Sequence, residues 1–128
     1  MRRWLPLLAV ALAGCGGSPG DLLSIDVRGG PAQRQQTIVV RSDGQGSCNG
    51  GPAQDIGSDA LIKAREIERE LGDDAERAAV YESTRRDATQ YVARTKDGTV
   101  RWDDRARGLP PVLAQTQLFA LQQGRALC

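Results

Sequence analysis

Tyr91-Val92-Ala93-Arg94-Thr95-Lys96-Asp97-Gly98-Thr99-Val100-Arg101-Trp102 reads as two short strands joined by a tight turn, and it decides the class of the fold. Val, Thr, Tyr and Trp suit a pleated, half-buried surface, and Asp-Gly suits a two-residue turn in which both positions need positive φ. With Asp97-Gly98 as the turn, Lys96 faces Thr99, Thr95 faces Val100, Arg94 faces Arg101 and Ala93 faces Trp102. One face carries Tyr91, Ala93, Thr95, Val100 and Trp102 and is expected to meet the core, the small Ala93 leaving room for the indole. The other carries Val92, Arg94, Arg101 and Asp103. Trp102 is read first as a packing residue and second as a platform for a ligand.

Working outward, residues 22–28 alternate Leu23, Ile25 and Val27 with Ser24, Asp26 and Arg28, the period of a half-buried strand, and Gly29-Gly30-Pro31 ends it. Thr37-Ile38-Val39-Val40 is a second strand, followed by a Gly-rich loop over residues 42–52 that contains Cys48. Ser58 or Asp59 can cap a helix from Ala60 to about Leu71, with Leu61, Ala64, Ile67 and Leu71 as its apolar stripe and Gly72 as its stop. Residues 75–80 suit helix or strand, and a short strand is expected from Val80 to Arg85. Pro110-Pro111 opens a last helix to about Gln123, stopped by Gly124. Leu113, Leu118 and Leu121, with Val112 or Phe119, are its buried side, and Gln115, Gln117, Gln122 and Gln123 its wet one. The order β-β-α-β-β-β-α predicts an α+β fold: a small antiparallel sheet of about five strands with two helices packed on one face, forming one domain over residues 22–128.

Met1-Arg2-Arg3 leads into an apolar run from Trp4 to Ala13 that is too short to span a bilayer, which takes ~20 residues in a helix, and that has the form of an export signal. Leu12-Ala13-Gly14-Cys15 resembles the lipobox of bacterial lipoproteins. The resemblance covers residues 1–15. It implies a signal peptide over residues 1–14, lipid on Cys15 as the new N-terminus, a flexible tether over residues 15–21, and residence on the extracytoplasmic face of a cell membrane. An ordinary signal peptide with a coincidental Cys15 is the competing reading.

Once Cys15 is assigned to lipid, Cys48 and Cys128 remain, and two thiols in an exported chain are expected to pair. The whole chain has 17 Lys and Arg against 16 Asp and Glu, so loss of Arg2 and Arg3 with the leader turns its formal charge from +1 to −1. That balance excludes a nucleic-acid surface, which needs a concentrated basic excess.

The chain contains no His, which removes the usual general base, the Ser-His and Cys-His dyads and the commonest metal ligand, so neither a metal nor another cofactor is expected. Asp73-Asp74 and Asp103-Asp104 read as turn and cap residues. Residues 44–50 mimic a dinucleotide fingerprint but carry Asn49 where its third Gly belongs. Arg85, Arg86, Arg94 and Arg101 form a candidate contact for an anion or a partner, because Arg94 opposite Arg101 needs a nearby carboxylate, from Glu82 or Asp103, or an anionic ligand. The expected function is therefore non-enzymatic: a lipid-anchored envelope protein that binds another envelope protein or a cell-wall component. A second expectation is a protease inhibitor using loop 42–52, since the order of elements resembles the Streptomyces subtilisin-inhibitor family, although the cysteine placements differ. A third is a hydrolase working with carboxylates alone, which requires two inward-facing acids ~5 to 9.5 Å apart.

Overall fold

The computed structural model describes residues 20–128; the expected leader, Cys15 and most of the tether lie outside the described residues. Strand β1 (Asp21–Gly29) is central and pairs antiparallel with β2 (Arg34–Arg41) on one side and β6 (Thr89–Thr95) on the other. Beyond β2 lie β3 (Gln45–Cys48) and β4 (Gln54–Asp55), and beyond β6 lie β7 (Gly98–Asp103) and β5 (Val80–Tyr81). The sheet therefore has seven strands in the order β4-β3-β2-β1-β6-β7-β5, and β5 runs parallel to β7. Helices α1 (Ser58–Glu76) and α2 (Pro111–Leu127) contribute to one core with the sheet's apolar face.

The fold is α+β, but the sheet is larger than the expected five strands and it is mixed. The surplus is β3, within residues 42–52 that were expected to be a loop, and β4 just after them. There Gln45–Cys48 pairs with β2 and β4, and Asn49 is tied back by its N–H on the Thr37 carbonyl (2.9 Å) and by its Oδ1 on the Thr37 N–H (2.8 Å). Glycine supports this strand. A Cβ on Gly46 would lie 2.6 Å from Ile56 Cγ2 and 3.0 Å from Leu127 Cδ1, so its absence lets α2 close over β3. The expected strand at residues 80–85 contracts to Val80–Tyr81.

Both helices run past their expected glycine stops. Gly72 sits inside α1, which continues because Leu71 and Ala75 are buried in the core, and the chain leaves the helix only at Ala78, at φ 51°. Residues 75–80 thus divide between the two readings, helix to Glu76 and strand from Val80. Gly124 is buried within α2, where an added Cβ would meet Gln36 Oε1 at 2.9 Å, so this glycine permits close packing on β2.

The hairpin turn is Lys96-Asp97, with Thr95 paired to Gly98, Arg94 to Thr99, Ala93 to Val100, Val92 to Arg101 and Tyr91 to Trp102. The expected register is thus displaced by two. An even displacement preserves every facing, so Ala93, Val100 and Trp102 are buried as anticipated. Gly98 belongs to the strand because its φ of 142° and missing Cβ let the Ala75 carbonyl of α1 press against it.

The core is built from the inner rows of the sheet, among them Leu23, Ile25, Ile38, Val40, Val100 and Trp102, against Ala64, Ile67 and Leu71 of α1 and Leu113 and Phe119 of α2. A Cys48–Cys128 disulfide, with Cα atoms 5.4 Å apart, joins β3 to the end of α2. Among the described residues no helix is long and apolar enough to cross a membrane.

Candidate functional site

The four arginines singled out in the sequence do not form one cluster. Arg94 Nη1 donates to Asp26 Oδ2 at 2.7 Å across the β1–β6 pair, and Thr37 Oγ1 donates to Asp26 Oδ1 at 2.8 Å from the other side. The carboxylate that compensates Arg94 is therefore Asp26, rather than Glu82 or Asp103, and the register shift has already separated Arg94 from direct opposition to Arg101. Burial would raise the Asp26 pKa; the bonds from Arg94 and Thr37 and the Arg94 and Arg28 charges outweigh it and hold the group below its ordinary value.

Arg85 and Arg101 line a common hollow of about 130 Å³, bordered also by Glu82, Gln90 and Val92. Arg85 also borders a larger polar hollow, about 570 Å³, with Ser83, Thr84, Arg105 and Arg107. Arg105 and Arg107 were not singled out in the sequence, where Asp104-Arg105-Ala106-Arg107 looks like solvated loop. Arg86 is exposed and borders neither hollow. Arg85 pairs with Asp87 at 3.2 Å and Arg105 stands 4.0 Å from Asp104, whereas Arg101 and Arg107 have no ion-pair partner among the described residues.

Asp103 organises these loops. Its carboxylate accepts from Ser83 N (2.6 Å), Ser83 Oγ (2.9 Å) and Arg105 N (2.9 Å). Burial pushes its pKa up, and these bonds prevail and hold it below the ordinary value. Asp104 accepts from Thr89 N at 3.0 Å, and Asp74 holds Arg77 and the Tyr81 hydroxyl. Asp103, Asp104 and Asp74 therefore serve structural bonds, but Asp73 and Asp74 lie within α1 rather than in the expected turn.

A different surface has the character of a binding site, an open groove of about 540 Å³ between α2 and the Gly29 end of the sheet. Two rows of the inner face make its floor. Val27 is flanked by Gln36 and Tyr91, with Trp102 beyond, and the next row is Arg34, Gly29 and Thr89. Pro31 and Ala32 of the β1–β2 connection form one wall. The facing wall is a second stripe of α2, comprising Ala114, Gln117, Leu118 and Leu121, at the spacing of one helical face.

This stripe explains why the expected buried side of α2 is rotated. Val112, Leu113, Thr116, Phe119, Ala120, Gln123 and Gly124 face the core, while Leu118 is left 55 % exposed. Gln123, expected to be wet, is buried, and Thr116 satisfies its hydroxyl on the Val112 carbonyl at 2.8 Å. Beneath the groove the Tyr91 and Trp102 rings stack, centroids 5.3 Å apart, with Trp102 as the buried member. Burial raises the Tyr91 pKa, as does the Asp104 charge, against a smaller opposing effect of Arg34.

Two further features give the groove polarity. Gln117 Nε2 is a buried donor without a partner among the described residues. A second hollow of about 330 Å³ adjoins at Ala32, Arg34 and Leu121 and is bordered by Gln36, Gly124 and Arg125. Comparison with protein-family models, curated proteins and solved structures gives no match.

Proposed function

We propose that this protein is exported, held on the extracytoplasmic face of a cell membrane by lipid on Cys15, and acts by binding a ligand in the groove between α2 and the β1–β2 end of the sheet, without catalysis of its own. The observation that carries the reading is the second stripe of α2. Ala114, Leu118 and Leu121 place apolar surface over a concave floor of Val27 and Tyr91, and Leu118 is 55 % exposed there. Binding sites are mostly apolar concavities of roughly 300 to 1,000 Å³ with a few placed polar groups, and this groove falls within that range. The Cys48–Cys128 bridge supports export, because such bonds persist outside reducing compartments.

The test is native mass spectrometry of the full chain after gentle extraction from membranes. A bound species is expected that is absent from the Leu118→Glu variant. A wild type carrying nothing removed by Leu118→Glu, when that variant retains its native melt, overturns the groove as a binding site.

A further inference from the structure

We infer that the groove takes a single-chain amphiphile with an anionic head, an inference that rests on the groove being the ligand site. Its charges are unevenly placed. Arg34 and Arg125 stand together at the β2 side, where neither has an ion-pair partner among the described residues, and they border the hollow that continues the groove. Asp104 lies at the β6 side, bonded to Thr89 N, and its charge acts on Tyr91. Among the described residues, Arg34 and Arg125 are the only charged ones that line the groove and its continuation, which fixes the direction of an elongated anionic ligand: head at Arg34 and Arg125, tail over Val27, Tyr91 and Leu118.

The shape agrees with the charge. From Ala114 to Arg125 the helix advances about 16 Å, so its groove-facing stripe is long and narrow, apolar first and cationic last. Gln117 offers an amide donor without an acceptor, and a buried donor in that state is costly. A peptide ligand would need backbone partners along its length, and this floor offers mainly side chains.

The test is titration calorimetry of the full chain carrying Cys15→Ser, with dodecanoate, dodecanol, dodecyltrimethylammonium and dodecanoyl lysophosphatidylglycerol, each below its micelle concentration. Dodecanoate or the lysolipid is expected to bind about tenfold or more tighter than the alcohol and the cation. The tighter of those two identifies the source of the head as free acid or lipid phosphate. Arg34→Gln with Arg125→Gln should abolish the preference, and Leu118→Glu should abolish binding of all four, with melting unchanged in both variants. Equal binding of anion and cation, or a preference that survives loss of both arginines, overturns the inference. If none of the probes binds but native mass spectrometry finds a ligand sensitive to Leu118→Glu, the ligand class falls while the groove reading stands; if neither measurement finds a ligand, both fall.

Discussion

Truncating Trp102 to Ala is expected to cost about 3 to 5 kcal/mol, whereas Arg101→Ala should cost about 0.5 kcal/mol, because adjacent strand residues face opposite sides and only the indole is in the core. Denaturant melts of the two variants check the contrast. Asp103 contributes differently. Its folded pKa is depressed, so its stabilisation is complete above its ordinary value of 3.8 and is lost as pH falls through the lower folded value. Unfolding measured from pH 6 to pH 2 should therefore show a shallower acid loss for Asp103→Asn than for the wild type, on a lower plateau. The sequence exposed the need for a carboxylate beside Arg94 but not its source. Asp26 lies 68 positions away, and only the pairing of β1 with β6 brings the two together.

Gly72 and Gly98 separate two meanings of glycine at the level of the element. Gly72→Ala should stabilise α1 by up to about 1 kcal/mol, since the backbone is helical and an added Cβ meets Asp97 Oδ2 only at 3.5 Å. Gly98→Ala should destabilise by about 1 to 3 kcal/mol, since φ is 142° and the Ala75 carbonyl occupies the space. Thermal melts of both variants test the pair. The hairpin was legible because Tyr91, Ala93, Val100 and Trp102 alternate; its turn was not, because contact with α1 decides which residue Gly98 becomes. The spacing of Ala114, Leu118 and Leu121 was equally visible in α2. What periodicity alone does not reveal is which of two apolar stripes the sheet covers.

At the scale of the molecule, β4 and β5 have two residues each, too few to show any period, and β3 hides in a Gly-rich segment where propensity argues against strand. The disulfide needed only cysteine counting. Replacing Cys48 and Cys128 by Ser should lower stability by about 4 kcal/mol on the chain-entropy account, measured by urea unfolding, since the bond spans 80 positions. Cys15→Ser should move the protein from the membrane to the soluble fraction, and persistence at the membrane in high salt would refute lipid anchoring.

Strand β1 begins beside the tether and ends at the groove, and its nine residues make a strut about 26 Å long. The five residues 16–20 reach at most about 17 Å, too short a leash to fold back along that strut. With lipid on Cys15, one pole of the domain is moored and the other faces outward. Under the proposed lipid anchoring, the groove would open at the end of β1 away from the bilayer, so that the proposed ligand would enter from the side opposite the anchor.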